Sequence, residues 1–408
     1  MKALTFHFSY PRLAAAKVLG AFSSRGTVSS FGPLAFQELP DPGLLGDDWV
    51  ILQTHYCGIC GSDVKQVFLE GAFDNPLTSL ISFPHVLGHE HVGTVVEAGR
   101  AVKRVRKGQQ VVCYPWLSCV VRGLPACARC REGRLSLCER FTDGALAPGM
   151  HAGNCRDVQG GFASFVPAHE SMCFPIPEGT ALETAALADP FTVCLHAVSK
   201  SPPVAGERVL VFGCGSLGAL LVHLLSRLYP GVEIIAVDRE PKSGPLALKM
   251  GAHEFTSAGG PALVEFIGQR TGAAVRRPMK GFPFLHGGVD RVYDTVGTAG
   301  TLETGVRIVK ATGTIVLVGV AEPRRFEWTP LYFKEITLVG SSGYGIESFE
   351  GRKLHGFELF LELLGAGRID PAPVITHKLP LAKYQDAFVA AREKGRHGSV
   401  KVLFDLTG

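Results

Sequence analysis

The chain has 408 residues, enough for two domains that each bury a sizeable core. Hydrophobic residues make up 46% and charged residues 19%, a balance unlike that of disordered chains. The excess of 41 basic over 37 acidic residues is too slight to argue for nucleic acid or a membrane surface as a partner.

Residues 1 to about 175 read as short β-rich runs, among them 50–54, 92–97 and 110–114, each bounded by turn residues. Within this half lies Cys57-Gly58-Ile59-Cys60-Gly61-Ser62-Asp63, answered further on by Gly88-His89-Glu90. A thiolate and an imidazole with carboxylates close to both are what a zinc ion needs to polarise a substrate oxygen. Cys57 and Cys60 also spell a CxxC redox pair, but no thioredoxin-like pattern surrounds them. A second set follows at Cys119, Cys127, Cys130 and Cys138. Four thiolates leave no open position and describe a structural zinc that clamps a loop lacking its own core. The plain alternative is a group of buried or reactive thiols. Cys113 belongs to a strand pattern and reads as core. Arg122, Arg129, Arg131 and Arg134 raise a further alternative, a zinc ribbon that binds nucleic acid. The modest net charge and the glycine fingerprint at 213–218 stand against it.

Asp189-Pro190 reads as a helix N-cap followed by proline at the first helical position, with Cys194 and His196 on the same helix as packing residues. From about residue 205 strands and helices alternate. Arg208–Phe212 and Glu233–Val237 are apolar strands around an amphipathic helix at 216–229, and 289–293 and 313–318 look like later strands of the same sheet. The pattern predicts an α/β doubly wound parallel sheet. Gly213-x-Gly215-x-x-Gly218 lies between the first strand and the helix, 20 residues before Asp238. Such glycines allow a tight turn, approach of a pyrophosphate and close helix packing, while Asp238 accepts from ribose hydroxyls and repels a 2′-phosphate. NAD is therefore favoured over NADP, a preference that Arg239 blunts. Leu217 and Val318 join the expected cofactor-binding residues. Residues 272–288, with Arg276, Arg277 and Lys280, read as a long loop, either functional or mobile. The chain then continues with a helix at 349–364 and a strand at 400–405.

These motifs together resemble those of the zinc-dependent medium-chain dehydrogenase/reductase family, which includes alcohol, polyol, threonine and formaldehyde dehydrogenases. The resemblance runs over nearly the whole chain. It is carried by residues 58–63, Gly88-His89-Glu90, the cysteine lobe, Gly160-Gly161-Phe162, Ala188-Asp189-Pro190, the glycine fingerprint and Gly319. It implies a GroES-like β-rich catalytic domain, about 1–189 with 345–408, and a Rossmann cofactor domain at 190–344, the active-site cleft lying between them.

It also implies roles. Cys60 and His89 match the ligands of a catalytic zinc, and Cys57 falls where the family varies and reads as packing. Ser62 matches the hydroxyl that passes the substrate proton outward, and Asp63 the carboxylate that orients the ligating histidine. Asp189 falls where relatives carry Cys, Glu or Asp as a third ligand and is the favoured candidate. Glu90 follows the histidine as in the family, where it ligates zinc directly or exchanges with water, and Cys194 is a weaker rival. Lys65 stands where many relatives end the proton relay with histidine; an ammonium serves there only if burial lowers its pKa, and otherwise protons leave through water. The gap between Cys119 and Cys127 exceeds the family's usual two residues.

The expected reaction is hydride transfer between an alcohol or carbonyl substrate and NAD(P), with two zinc ions per chain. A catalytically inactive nucleotide-binding member of the same fold is the alternative, against which the intact Cys60, Ser62, His89 and Glu90 weigh. Neither nucleic acid nor membrane is expected as a partner, and the resemblance implies a homodimer or homotetramer. No run approaches the roughly 20 apolar residues of a membrane span, and no apolar leader with a cleavage site follows Lys2, so a cytoplasmic setting is expected.

Overall fold

The computed structural model describes residues 1–71, 75–321 and 325–408. The chain forms two compact units: Met1–Asp189 with Tyr344–Gly365 and Ile375–Gly408, and Pro190–Gly343 with Ala366–Val374. Among the described residues no helix is long and apolar enough to cross a membrane.

The first unit is built on a seven-stranded sheet. Its order is Ile375–Pro380, Lys401–Asp405, Trp49–Gly58, Glu90–Ala98, Gln110–Cys113 and Cys173–Pro175, and Phe165–His169 also pairs with Trp49–Gly58. Two of its registers position the functional residues. Gly58 stands opposite Glu90, and on its other side opposite Leu403. One short stretch of backbone therefore gathers residues from three distant parts of the chain. A smaller sheet joins Leu34–Glu38, Lys2–Phe6 and His85–Val86. The helix Tyr10–Gly20 is not legible in the sequence, because it buries only Leu13 and Ala16 and so shows no apolar stripe.

The second unit carries a six-stranded parallel sheet in the order Glu254–Thr256, Glu233–Val237, Arg208–Phe212, Val289–Asp294, Val309–Leu317 and Thr337–Gly340. Leu210, Ile235, Val292 and Ile315 pack with Leu263, Val264 and Ile267 of the helix Gly260–Thr271, which explains why these strands read as continuous apolar runs. The strand order reverses direction beside Arg208–Phe212, which makes its carboxyl end a topological switch point. The glycine turn sits there. Gly213 has φ +85°, and a Cβ on Gly218 would stand 1.7 Å from the Gly213 carbonyl oxygen, so the helix Ser216–Leu228 packs this close only with glycine.

Two expectations need correction. Residues 272–288 form a β-hairpin rather than a loop, with Ala274–Arg276 antiparallel to Phe284–His286. Leu285 is fully buried in the core, and Ala273, Val275 and Phe282 pack against it, which anchors the segment. The predicted helix at 349–364 begins only at Gly356. Before it, Ile346–Phe349 and Arg352–His355 pair as a second hairpin, turning at Glu350 and Gly351, both with positive φ.

Candidate active site

Cys60 follows the strand Trp49–Gly58 and precedes the short helix Gly61–Val67, while His89 precedes the strand Glu90–Ala98. Since Gly58 is paired with Glu90, the two strand ends bring Cys60, His89 and Glu90 together, with their ligand atoms all within 4.8 Å. Asp63 reaches back from the helix. Its Oδ2 accepts from the Cys60 amide at 2.9 Å, and its Oδ1 lies 3.6 Å from His89 Nδ1, an ion-pair contact longer than a hydrogen bond. Ser62 and Lys65 are both exposed on the same helix, so the burial that a relay role for Lys65 requires is absent.

Two residues that no sequence motif marks complete the cluster. Lys401 is buried; its Nζ pairs with Glu90 and donates to the Ile59 carbonyl at 3.1 Å. The lysine does carry a sequence signal, since it stands inside the apolar strand Lys401–Asp405, where an unpaired ammonium would be prohibitively costly. Gly58 makes the pair fit: a Cβ there would lie 2.0 Å from Glu90 Oε2 and 2.8 Å from Lys401 Cε. Tyr344 is the second, and its phenol donates to Asp189 Oδ2. His151 adds an imidazole 4.6 Å from the His89 ring, its Nδ1 bonded to the Ala152 carbonyl at 2.8 Å.

The electrostatics of this pocket call for a cation. Burial alone lowers the pKa of His89, but Asp63, Cys60 and Asp189 outweigh it and leave the imidazole well above its ordinary value. Lys401 likewise stays above the ordinary lysine value despite burial, held there by Glu90 and Cys60. His151, by contrast, is pushed down to about 3 by burial and by the charge on His89. Asp189 is raised to about 6, first by burial and then by Glu90, against the pull of His89 and the Tyr344 hydrogen bond. A proton on His89 occupies the role that a divalent ion would take.

The four cysteines of the lobe also converge, with their sulfurs within 4.8 Å of one another. Cys119 belongs to the set despite its longer spacing; its sulfur accepts from the Cys127 amide at 3.4 Å and lies 3.5 Å from Cys138 Sγ. Burial tends to raise Cys127, but the amides of Glu139 and Cys130 and the neighbouring thiols bring it down to about 6, whereas Cys130 is pushed up to about 11, burial first. Thiols this close cannot all ionise without a cation between them, which fits a structural metal.

The residues between Cys119 and Cys127 are held by Arg122, which is 5% exposed. Its guanidinium donates to the carbonyls of Leu117, Asp143, Leu146, Ala147 and Gly149 at 2.8–3.2 Å. The other arginines are engaged within the lobe. Arg129 pairs with Glu132 and Glu139, Arg134 pairs with Glu132, and Arg131 donates to the Ala126 carbonyl.

In the second unit Asp238 faces the glycine turn. Its Oδ2 accepts from the Cys214 amide at 2.6 Å and its Oδ1 from the Glu240 amide at 2.9 Å. Arg239 is exposed and 3.6 Å from Glu240. The Leu217 carbonyl accepts from the buried Cys194 thiol at 3.2 Å, and the Val318 amide donates to the Asp294 carbonyl at 2.9 Å. Cys57 and Cys113 are buried in the sheet of the first unit.

Comparison with known proteins agrees with this architecture. Residues 46–178 match the alcohol dehydrogenase GroES-like domain, and residues 217–355 match the zinc-binding dehydrogenase domain. The chain is 29% identical over 369 residues to the protein named "Probable D-xylulose reductase A" of Aspergillus clavatus, covering 90% of this chain and 92% of that one. It is 29% identical over 354 residues to sorbitol dehydrogenase of Arabidopsis thaliana, covering 86% of each chain. Among solved structures, 2R,3R-butanediol dehydrogenase from Bacillus subtilis superimposes with a TM-score of 0.74 at 25% identity, covering 99% of both chains. The chain belongs to the zinc-dependent medium-chain dehydrogenase/reductase family. It is an oxidoreductase of the alcohol and polyol dehydrogenase class.

Proposed function

We propose that the protein oxidises a secondary alcohol or polyol to the corresponding carbonyl compound, using one zinc ion at Cys60, His89 and a carboxylate, a second at the four-cysteine lobe, and NAD as hydride acceptor. The observation that carries this reading is the convergence of Cys60, His89 and Glu90 on one point of a buried, anion-rich pocket that also contains Asp189. When bound, the zinc would supply Lewis-acid polarisation of the substrate oxygen, and the nicotinamide would accept the hydride.

The chain's own groups do the rest. Asp63 holds the His89 ring in orientation and Lys401 holds Glu90. Ser62 takes the substrate proton outward and, being exposed, releases it to water rather than to a buried lysine. Asp238 accepts from the ribose diol, while the amides that open the helix Ser216–Leu228 receive the pyrophosphate. The xylulose and sorbitol enzymes among the relatives support a polyhydroxylated substrate.

A test is to follow reduced nicotinamide with sorbitol, xylitol, butanediol and ethanol, offering NAD and NADP in parallel. The expected result is turnover with NAD and a vicinal polyol, abolished by a chelator and restored by zinc. A protein with both metal sites filled that binds NAD yet reduces none with any alcohol would overturn the reading.

A further inference from the structure

Asp189 stands beside the metal-binding set without belonging to the three residues whose ligand atoms converge. What holds it is Tyr344. The phenol donates to Oδ2, so one of the two carboxylate oxygens is already engaged. Both residues are buried, Tyr344 at 1% exposure and Asp189 at 6%.

The tyrosine itself has little freedom. Its ring stacks on Phe357 with centroids 5.4 Å apart and meets Tyr114 edge-on at 5.5 Å. The Tyr114 hydroxyl donates to the Tyr344 carbonyl at 3.3 Å. Just beyond it, the Gly345 amide donates to Glu347 and the Ile346 amide to the Gly133 carbonyl at 2.9 Å. The phenol is thus fixed by aromatic packing and by backbone bonds on its C-terminal side, and its oxygen is the part that reaches the pocket. Glu90 and Asp189 each have a side chain that holds them: Lys401 for Glu90 and Tyr344 for Asp189.

We propose that Tyr344 is a positioning residue that sets the Asp189 carboxylate relative to Cys60, His89 and Glu90, and through it fixes how strongly and in what coordination the pocket binds its metal. The inference rests on the proposed zinc function. It assigns Tyr344 no contact with the reacting atoms. Partners that orient groups around a metal commonly affect its affinity by about 10- to 100-fold, which is the scale expected here.

The experiment is a double-mutant cycle on Tyr344→Phe and Asp189→Asn, which keeps the ring and nearly all of both side-chain volumes. Two quantities are read: zinc affinity by chelator competition, and the visible spectrum after cobalt exchange. Tyr344→Phe should weaken metal binding by about 10- to 100-fold and shift the cobalt bands. Added to Asp189→Asn it should change neither quantity further, because its effect passes through that carboxylate. Wild-type affinity and spectrum in Tyr344→Phe, or an effect that persists in the Asp189→Asn background, would overturn the inference while leaving the metal centre in place. A wild-type protein that takes up no metal at Cys60 and His89 would remove the zinc reading itself, and this inference with it.

Discussion

Replacement of His89 by alanine is expected to lower kcat/KM by about four orders of magnitude, or roughly 5 kcal/mol at 1.36 kcal/mol per tenfold. His89 is the one imidazole of the converging set, and Cys60 and Glu90 alone make a poor zinc site. The loss should fall on kcat and kcat/KM together, because the metal's contribution is realised in the transition state. Folding should survive. The ring is buried beside His151 and Asp63, and the Asp63 carboxylate keeps its hydrogen bond from the Cys60 amide when the ring is removed. Steady-state kinetics with circular dichroism as a control would check this. Retention of most of the activity would place the catalytic centre elsewhere.

The second large effect is expected at Arg122, on stability rather than chemistry. Its guanidinium serves five main-chain carbonyls from inside the lobe. Arg122→Ala leaves those acceptors without their donor and opens a cavity, a loss of about 3–5 kcal/mol on the scale of broken buried charge networks. Lysine is no substitute, because three donors on a point charge cannot span what the planar fork spans. The expected readouts are a lower unfolding temperature and faster reaction of Cys119, Cys127, Cys130 and Cys138 with a thiol reagent. If Arg122→Ala matched the wild type in both, the lobe would owe its shape to its metal alone.

Arg122 also marks the limit of what a sequence discloses. In sequence it is one of several arginines near a cysteine cluster, and composition suggests a basic surface. Only the fold reveals that it faces inward onto carbonyls, since no side-chain pattern encodes where main-chain acceptors will gather. Lys401 and Tyr344 escape notice for a related reason. They lie far along the chain from Cys60 and His89, and they meet the pocket through the pairing of Leu403 with Gly58 and through aromatic packing around Phe357.

The strands Arg208–Phe212 and Glu233–Val237 are legible to the residue, because burial on both faces leaves an unbroken apolar run. The hairpins are not. At 274–286 each strand is three residues long and gives the core one side chain, Val275 or Leu285, too few to show a period of two. At 346–355 the apolar residues Ile346, Phe349 and Leu354 stand three and five apart, which shows no period of two. The pairing of Cys60 with His89 is legible because their residue types suit a metal and the motifs around them resemble those of the family.

If Cys60 and His89 hold a metal independently of the four-cysteine lobe, the two sites can be emptied one at a time. The decisive measurement is zinc content per chain in the native protein, in Cys60→Ser and in Cys130→Ser. Two zinc ions are expected in the native protein and one after Cys60→Ser, with the lobe's ion retained in that variant. A single zinc in the native protein, kept in Cys60→Ser and lost in Cys130→Ser, would mean that the pocket at Cys60 and His89 holds no metal.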